Sequence, residues 1–148
     1  MKQISARTTL GLALAAPLLA FAPLTQAREC TLDHAAGRYG YTSNGTIVGA
    51  VPAPFTAVGH VTLGESGTFT GSQTTSIAGS LADETIQGTY VVNSDCTGSA
   101  TVHVYHGTTL ARTSVINLVW DNHENEFRAI FLTAGTSISI LGRKMSDD

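Results

Sequence analysis

Thr85 to Trp120 reads TIQGTYVV NSDCTG SATVHVYH GTT LARTSVINLVW. Three runs rich in Val, Ile, Thr and Tyr are cut by two short clusters of Asn, Ser, Asp, Gly and Thr. Bulky apolar residues recur at alternate positions within the runs. β-Branched and aromatic side chains at period two fit a pleated strand, and the clusters hold residues that suit tight turns, so the segment predicts three strands joined by two hairpins. One face of the first strand then carries Ile86, Gly88, Tyr90 and Val92. The matching face of the second carries Ala100, Val102, Val104 and His106, and that of the third Ile116, Leu118 and Trp120.

The same pattern extends in both directions. Eight strands are expected, over 37–42, 55–63, 68–78, 85–92, 99–106, 110–120, 126–134 and 137–143. Asn44-Gly45 is a strong turn signal after the first, because both residues tolerate positive φ. Pro52 and Pro54 cannot donate to a central ladder, so 47–54 reads as a loop or a poor edge. The remaining turns fall at 64–67, 79–84, 93–98, 107–109, 121–125 and 135–136. Connections this short make sequence neighbours sheet neighbours. A long meander must dispose of its two edges, and pairing the first strand with the last removes both. The expected fold is therefore all-β, an eight-stranded antiparallel up-and-down barrel, in preference to an open sandwich. A membrane barrel fits poorly: 68–78 has no apolar lipid-facing side, and aromatic girdles are missing.

The beginning of the chain reads differently. Lys2 and Arg7 precede an uncharged apolar run, LGLALAAPLLAF, and small residues follow at Thr25 and Ala27. This is the order of a secretory signal peptide, with cleavage expected after Ala27. The run is too short for a membrane anchor and contains Pro17. Residues 28–148 are then expected to form one secreted or periplasmic domain. In an oxidising compartment the chain's two cysteines, Cys30 and Cys96, are expected to form a disulfide. Of eight Lys and Arg and eleven Asp and Glu, the leader holds two basic residues, leaving a net charge of about −5. With Lys144 as its one lysine and no basic stripe, the mature chain does not suit nucleic acid or an anionic membrane surface. No further stretch is long and apolar enough for an integral helical span.

The stretch from Gly88 to Val102, GTYVVNSDCTGSATV, resembles a recurrent hairpin of small secreted bacterial barrels related to the allene oxide cyclase barrel and, more distantly, to calycins. Gly67-Thr68-Phe69-Thr70-Gly71-Ser72-Gln73-Thr74 and Gly37-Arg38-Tyr39-Gly40 are similar to it in the same way. The resemblance implies an eight-stranded barrel with an apolar lumen that holds a lipid-like or polyketide-like ligand, or cyclises one. The matching patches include no catalytic residue of the cyclases, so no catalytic role is carried over.

If the alternating rows face inward, Tyr90, Val102, Val104, Arg112, Ile116, Leu118, Trp120, Phe127 and Phe131 line the lumen, although a filled core needs the same residues. Tyr39, Tyr41, His103, Tyr105 and Arg128 form a candidate polar mouth. Arg112 is unusual within a strand; facing inward it would hold a ligand carboxylate or pair with a buried acid, and facing outward it would reach solvent. Val91, Val115, Val119, Ile130, Leu132, Ile138 and Ile140 alternate with the inner rows, so both faces of the last strands are expected to be buried, or else to offer an apolar outer face for self-association. His103 and His106, three apart, point to opposite faces of a strand, and no metal site is expected. Glu65, Asp83, Glu84, Asp95, Asp121, Glu124 and Glu126 fall on expected turns and read as solvated acids. No motif calls for a cofactor or supplies a Ser-based triad. Three functions remain: a binder of a small apolar ligand, a barrel cyclase or isomerase acting on such a molecule, and an interaction or inhibitor module that uses the 47–54 segment.

Overall fold

The computed structural model describes residues 29–121 and 123–146, so the expected leader at 1–27 lies outside the described residues. A short helix, α1 (Leu32–Ala35), precedes eight strands: β1 (Gly37–Ile47), β2 (Ala53–Leu63), β3 (Thr68–Ile77), β4 (Ser80–Val92), β5 (Thr97–His106), β6 (Thr109–Asp121), β7 (Glu126–Phe131) and β8 (Thr136–Lys144). Each pairs antiparallel with the next, and β8 pairs with β1 from Tyr39↔Lys144 to Ile47↔Thr136, closing the barrel. The expected closed meander is the observed fold. Among the described residues, no helix is long and apolar enough to cross a membrane.

Alternation places Tyr39, Tyr41, Phe55, Val61, Phe69, Ile86, Tyr90, Val104, Ile116, Trp120 and Phe127 inside. Large rings fit a narrow barrel because small residues stand beside them. A Cβ at Gly88 would come within 2.8 Å of the Phe69 ring, and one at Gly98 within 2.7 Å of Trp120. Gly142 likewise makes room for the Phe127 ring across the β7–β8 ladder.

One end of the barrel is plugged. Ala35 is fully buried, and Leu32 packs against the main core. The hydroxyl of the fully buried Tyr39 is shared between the carbonyl oxygens of Ala35, at 2.9 Å, and Glu124. Lys144 Nζ donates to the His34 carbonyl at 2.9 Å and lies 5.6 Å from the centre of the Tyr39 ring. The Cys30–Cys96 disulfide, expected from the sequence, ties the segment before α1 to the β4–β5 turn. The other end is narrowed by a smaller cluster of Phe55, Ala57 and Ile138, with Phe131 packed against it.

Several sequence expectations are corrected. Asn44-Gly45 is not a turn but part of β1, paired with Thr56-Phe55 on one side and Ser139-Ile138 on the other. Gly45 is small because the backbone at Ser137 and Ile138 passes where its Cβ would stand. The loop is confined to 48–52: Ile47 ends β1, and Ala53 and Pro54 open β2, a strand start being where proline is tolerated. The connection expected at 79–84 is a two-residue turn, Ala78-Gly79, with φ of 49° and 87°. Positive φ at both positions matches the twist of a tight hairpin, so β4 begins at Ser80 and carries Glu84 into the barrel wall. The outer residues of the last strands are not buried: Val91, Val115, Val119, Ile130 and Leu132 are exposed, whereas Ile138 is buried and Ile140 packs against the core. Closure leaves each strand one inner face, and Ile138 and Ile140 have the inward parity.

The disulfide closes a separation of 66 residues, for which chain entropy gives a stabilisation of about 4 kcal/mol. Reduction, or Cys30→Ser with Cys96→Ser, should lower the unfolding free energy by roughly that amount in urea titrations. An unchanged midpoint would show that the plug holds without it.

Candidate functional site

A cavity of about 70 Å3 lies in the lumen, with Phe55 and Phe131 among its walls. Tyr90, Val102, Val104, Arg112, Ile116, Trp120, Phe127 and Phe131 line it, and Leu118 is buried in the same core. Tyr41, Phe55, Val61, Leu63 and Phe69 complete much of the wall. Reasoning from the later strands missed the contribution of β2 and β3, although Phe55, Ala57, Val61 and Leu63 alternate as clearly as any row.

One side of the lumen is polar. Glu84, on β4, is only 3% exposed. Arg112 Nη1 donates to its Oε1, and Arg112 Nη2 to its Oε2 at 2.7 Å. Gln73 Nε2 donates to Oε2 at 2.7 Å, His106 Nε2 lies 2.9 Å from Oε1, and Tyr41 donates to Gln73 Oε1 at 2.6 Å. β1, β3, β4, β5 and β6 each supply one member. A buried carboxylate persists because its lone pairs are occupied and its charge is compensated. Burial pushes the Glu84 carboxyl upward, but hydrogen bonds from Arg112, Gln73 and His106 and the Arg112 charge outweigh it, holding the carboxyl below its ordinary value. Burial, then the neighbouring Glu84 charge, raises the Tyr41 hydroxyl well above the usual tyrosine range, against the opposing Arg112 charge.

A local irregularity lies beside Arg112. Val104 faces Arg112 but Tyr105 faces Leu110, so Ala111 is an extra residue in β6. A bulge shifts parity on one side of itself. Leu110 therefore turns outward and exposed, while Arg112 keeps the inward parity of Ser114, Ile116 and Leu118.

The expected polar mouth is not assembled. Tyr41 belongs to the polar cluster, and Tyr39 belongs to the plug. His103 is on the outer wall beside Thr113, its Nδ1 3.0 Å from Oγ1. Tyr105 accepts from Gln87 at the surface, and Arg128 pairs outside with Asp121 at 2.8 Å. All three have the outward parity of their strands, which Val104 and Ala129 set. The reading of the acids as uniformly solvated is also corrected. Glu84 and Glu124 are buried, Glu126 is largely covered and pairs with Arg143, and Glu124 Oε1 lies 3.7 Å from His34 Nδ1. The sequence offered one signal for the Glu84 cluster, the inward parity of Arg112, which needs an acid opposite it. Among the described residues no group of three or more His, Cys, Asp and Glu is placed to hold a metal ion.

Removing one partner of a buried pair strands the other. Arg112→Leu should therefore cost about 3–5 kcal/mol of stability, and adding Glu84→Leu should recover most of it; equal losses would argue against a desolvated pair. Glu84 has a folded-state pKa below its ordinary 4.5, so its contribution is complete above that pH and is lost as pH falls through the lower folded value. Acid unfolding followed by circular dichroism should be less steep in Glu84→Gln than in the wild type.

No protein-family model matches the chain, and neither a curated protein nor a solved structure is similar to it at a significant level.

Proposed function

We propose that the chain is an exported barrel that binds a small apolar molecule in its lumen. The cavity carries this reading. A folded interior is ordinarily close-packed, whereas this lumen leaves about 70 Å3 unfilled. The lining is largely apolar, with Tyr41, Ser43, Gln73, Arg112 and Ser114 among its polar members, a make-up that suits a small-molecule site. Its volume suits a slender or compact ligand of few heavy atoms, larger than the one or two waters that a tightly packed barrel would hold.

Binding is favoured over turnover by the state of Glu84. Its four hydrogen bonds, two from Arg112 and one each with Gln73 and His106, occupy the lone pairs that a general base needs free. Export rests on the leader-like sequence before Arg28 and on the Cys30–Cys96 disulfide, which suits an oxidising compartment. The resemblance of the 88–102 hairpin to secreted barrels of the allene oxide cyclase type supports the same reading.

Trp120, the chain's one tryptophan, lines the cavity and reports on it directly. Protein isolated from its natural source should carry a small apolar molecule in native mass spectrometry, and its removal should shift Trp120 emission. Val102→Phe, which directs a ring into the empty space, should weaken binding at least about tenfold while keeping the circular dichroism spectrum of the barrel. Undiminished binding in that variant would place the ligand elsewhere.

A further inference from the structure

The polar side of the lumen has a definite charge and a definite hydrogen-bonding character. Glu84 is not itself part of the cavity wall; it stands behind Arg112 and Gln73, which are. Its negative charge cancels that of Arg112. The two Arg112 N–H groups bonded to Glu84 leave three others, Gln73 keeps a second amide hydrogen, and Ser114, on the same wall, carries a hydroxyl. The wall therefore offers donors without net charge.

Two ligand chemistries meet this wall differently. An uncharged oxygen, as in a ketone or an alcohol, can accept from these donors while its hydrocarbon part packs on Ile86, Val104, Ile116 and Trp120. A carboxylate would have to leave water for a narrow apolar space whose one lining cation is already neutralised, with the Glu84 charge directly behind it. Lys144 offers no relief, since it lies over the Tyr39 ring at the plugged end. Resting on the lumen-binding reading above, we infer that the site selects an uncharged apolar molecule bearing one acceptor oxygen, of the ketone or alcohol class, over a carboxylate of equal length. Glu84 is the residue that sets this selectivity, acting through Arg112 without touching the ligand.

Titration of the full-length mature protein with 2-butanone, butanoate and n-pentane, probes small enough for a cavity of about 70 Å3, at neutral pH and read by Trp120 emission, tests this. The ketone should bind at least about tenfold more tightly than the carboxylate, and more tightly than the alkane. Glu84→Gln, which leaves the Arg112 charge uncompensated, should shift the ketone-to-carboxylate preference towards butanoate by at least about tenfold. Glu84→Gln with Arg112→Gln, uncharged again, should restore the preference for the ketone. Butanoate binding as well as 2-butanone to the wild type would overturn the selectivity, as would n-pentane matching the ketone, and either result would leave lumen binding intact. Silence of Trp120 towards all three probes would instead remove the lumen-binding reading itself. The wild-type comparison decides the matter alone should the variants fail to fold.

Discussion

The ladder between β1 and β8 is the constraint on which the other features depend. Its pairs, from Tyr39↔Lys144 to Ile47↔Thr136, convert an eight-strand meander with two exposed edges into a sheet with none. Once the sheet is closed, its inner face has a fixed circumference, and every inward side chain competes for the same space. Phe69, Trp120 and Phe127 fit because Gly88, Gly98 and Gly142 yield volume beside them. A residue larger than glycine at these points would force the rings, and with them the register, to move.

Closure also creates two ends that must be treated separately. At one, α1, Tyr39 and Glu124 form a plug in which the Tyr39 hydroxyl is shared between the Ala35 and Glu124 carbonyl oxygens, and the disulfide ties down the segment before α1. At the other, Phe55 and Phe131 narrow the lumen, their ring centres 6.5 Å apart. Between these lies the space that the core leaves unfilled. Its polar lining residues, Gln73, Arg112 and Ser114 among them, set it apart from a wholly apolar core.

The Glu84–Arg112 pair links fold to site. It is costly to bury, and on stability grounds an apolar pair of similar volume would serve as well or better. Its position makes chemical sense as a device that presents hydrogen-bond donors to the lumen without presenting charge. The extra residue Ala111 contributes to the same end, since without that bulge the parity of β6 would not combine an inward Arg112 with an outward Leu110.

Alternation in 85–120, turn clusters at short intervals and two cysteines were sufficient to determine the strand count, the meander, closure and the disulfide, because each depends on local periodicity or on simple pairing. Most inner positions of β4 to β7 were legible for the same reason. Asn44-Gly45 misled because a turn propensity was overruled by ladders on both sides and by the close passage of Ser137 and Ile138. Only the tertiary structure decided that Glu84 is a buried, compensated carboxylate, whereas the alternation that turns Val104 and Phe127 inward already turns His103, Tyr105 and Arg128 outward. A charge's environment is set by partners brought together from five strands, and the outward turn of Leu110 is set by the bulge in β6. Neither is a property of the residue's immediate neighbours in sequence.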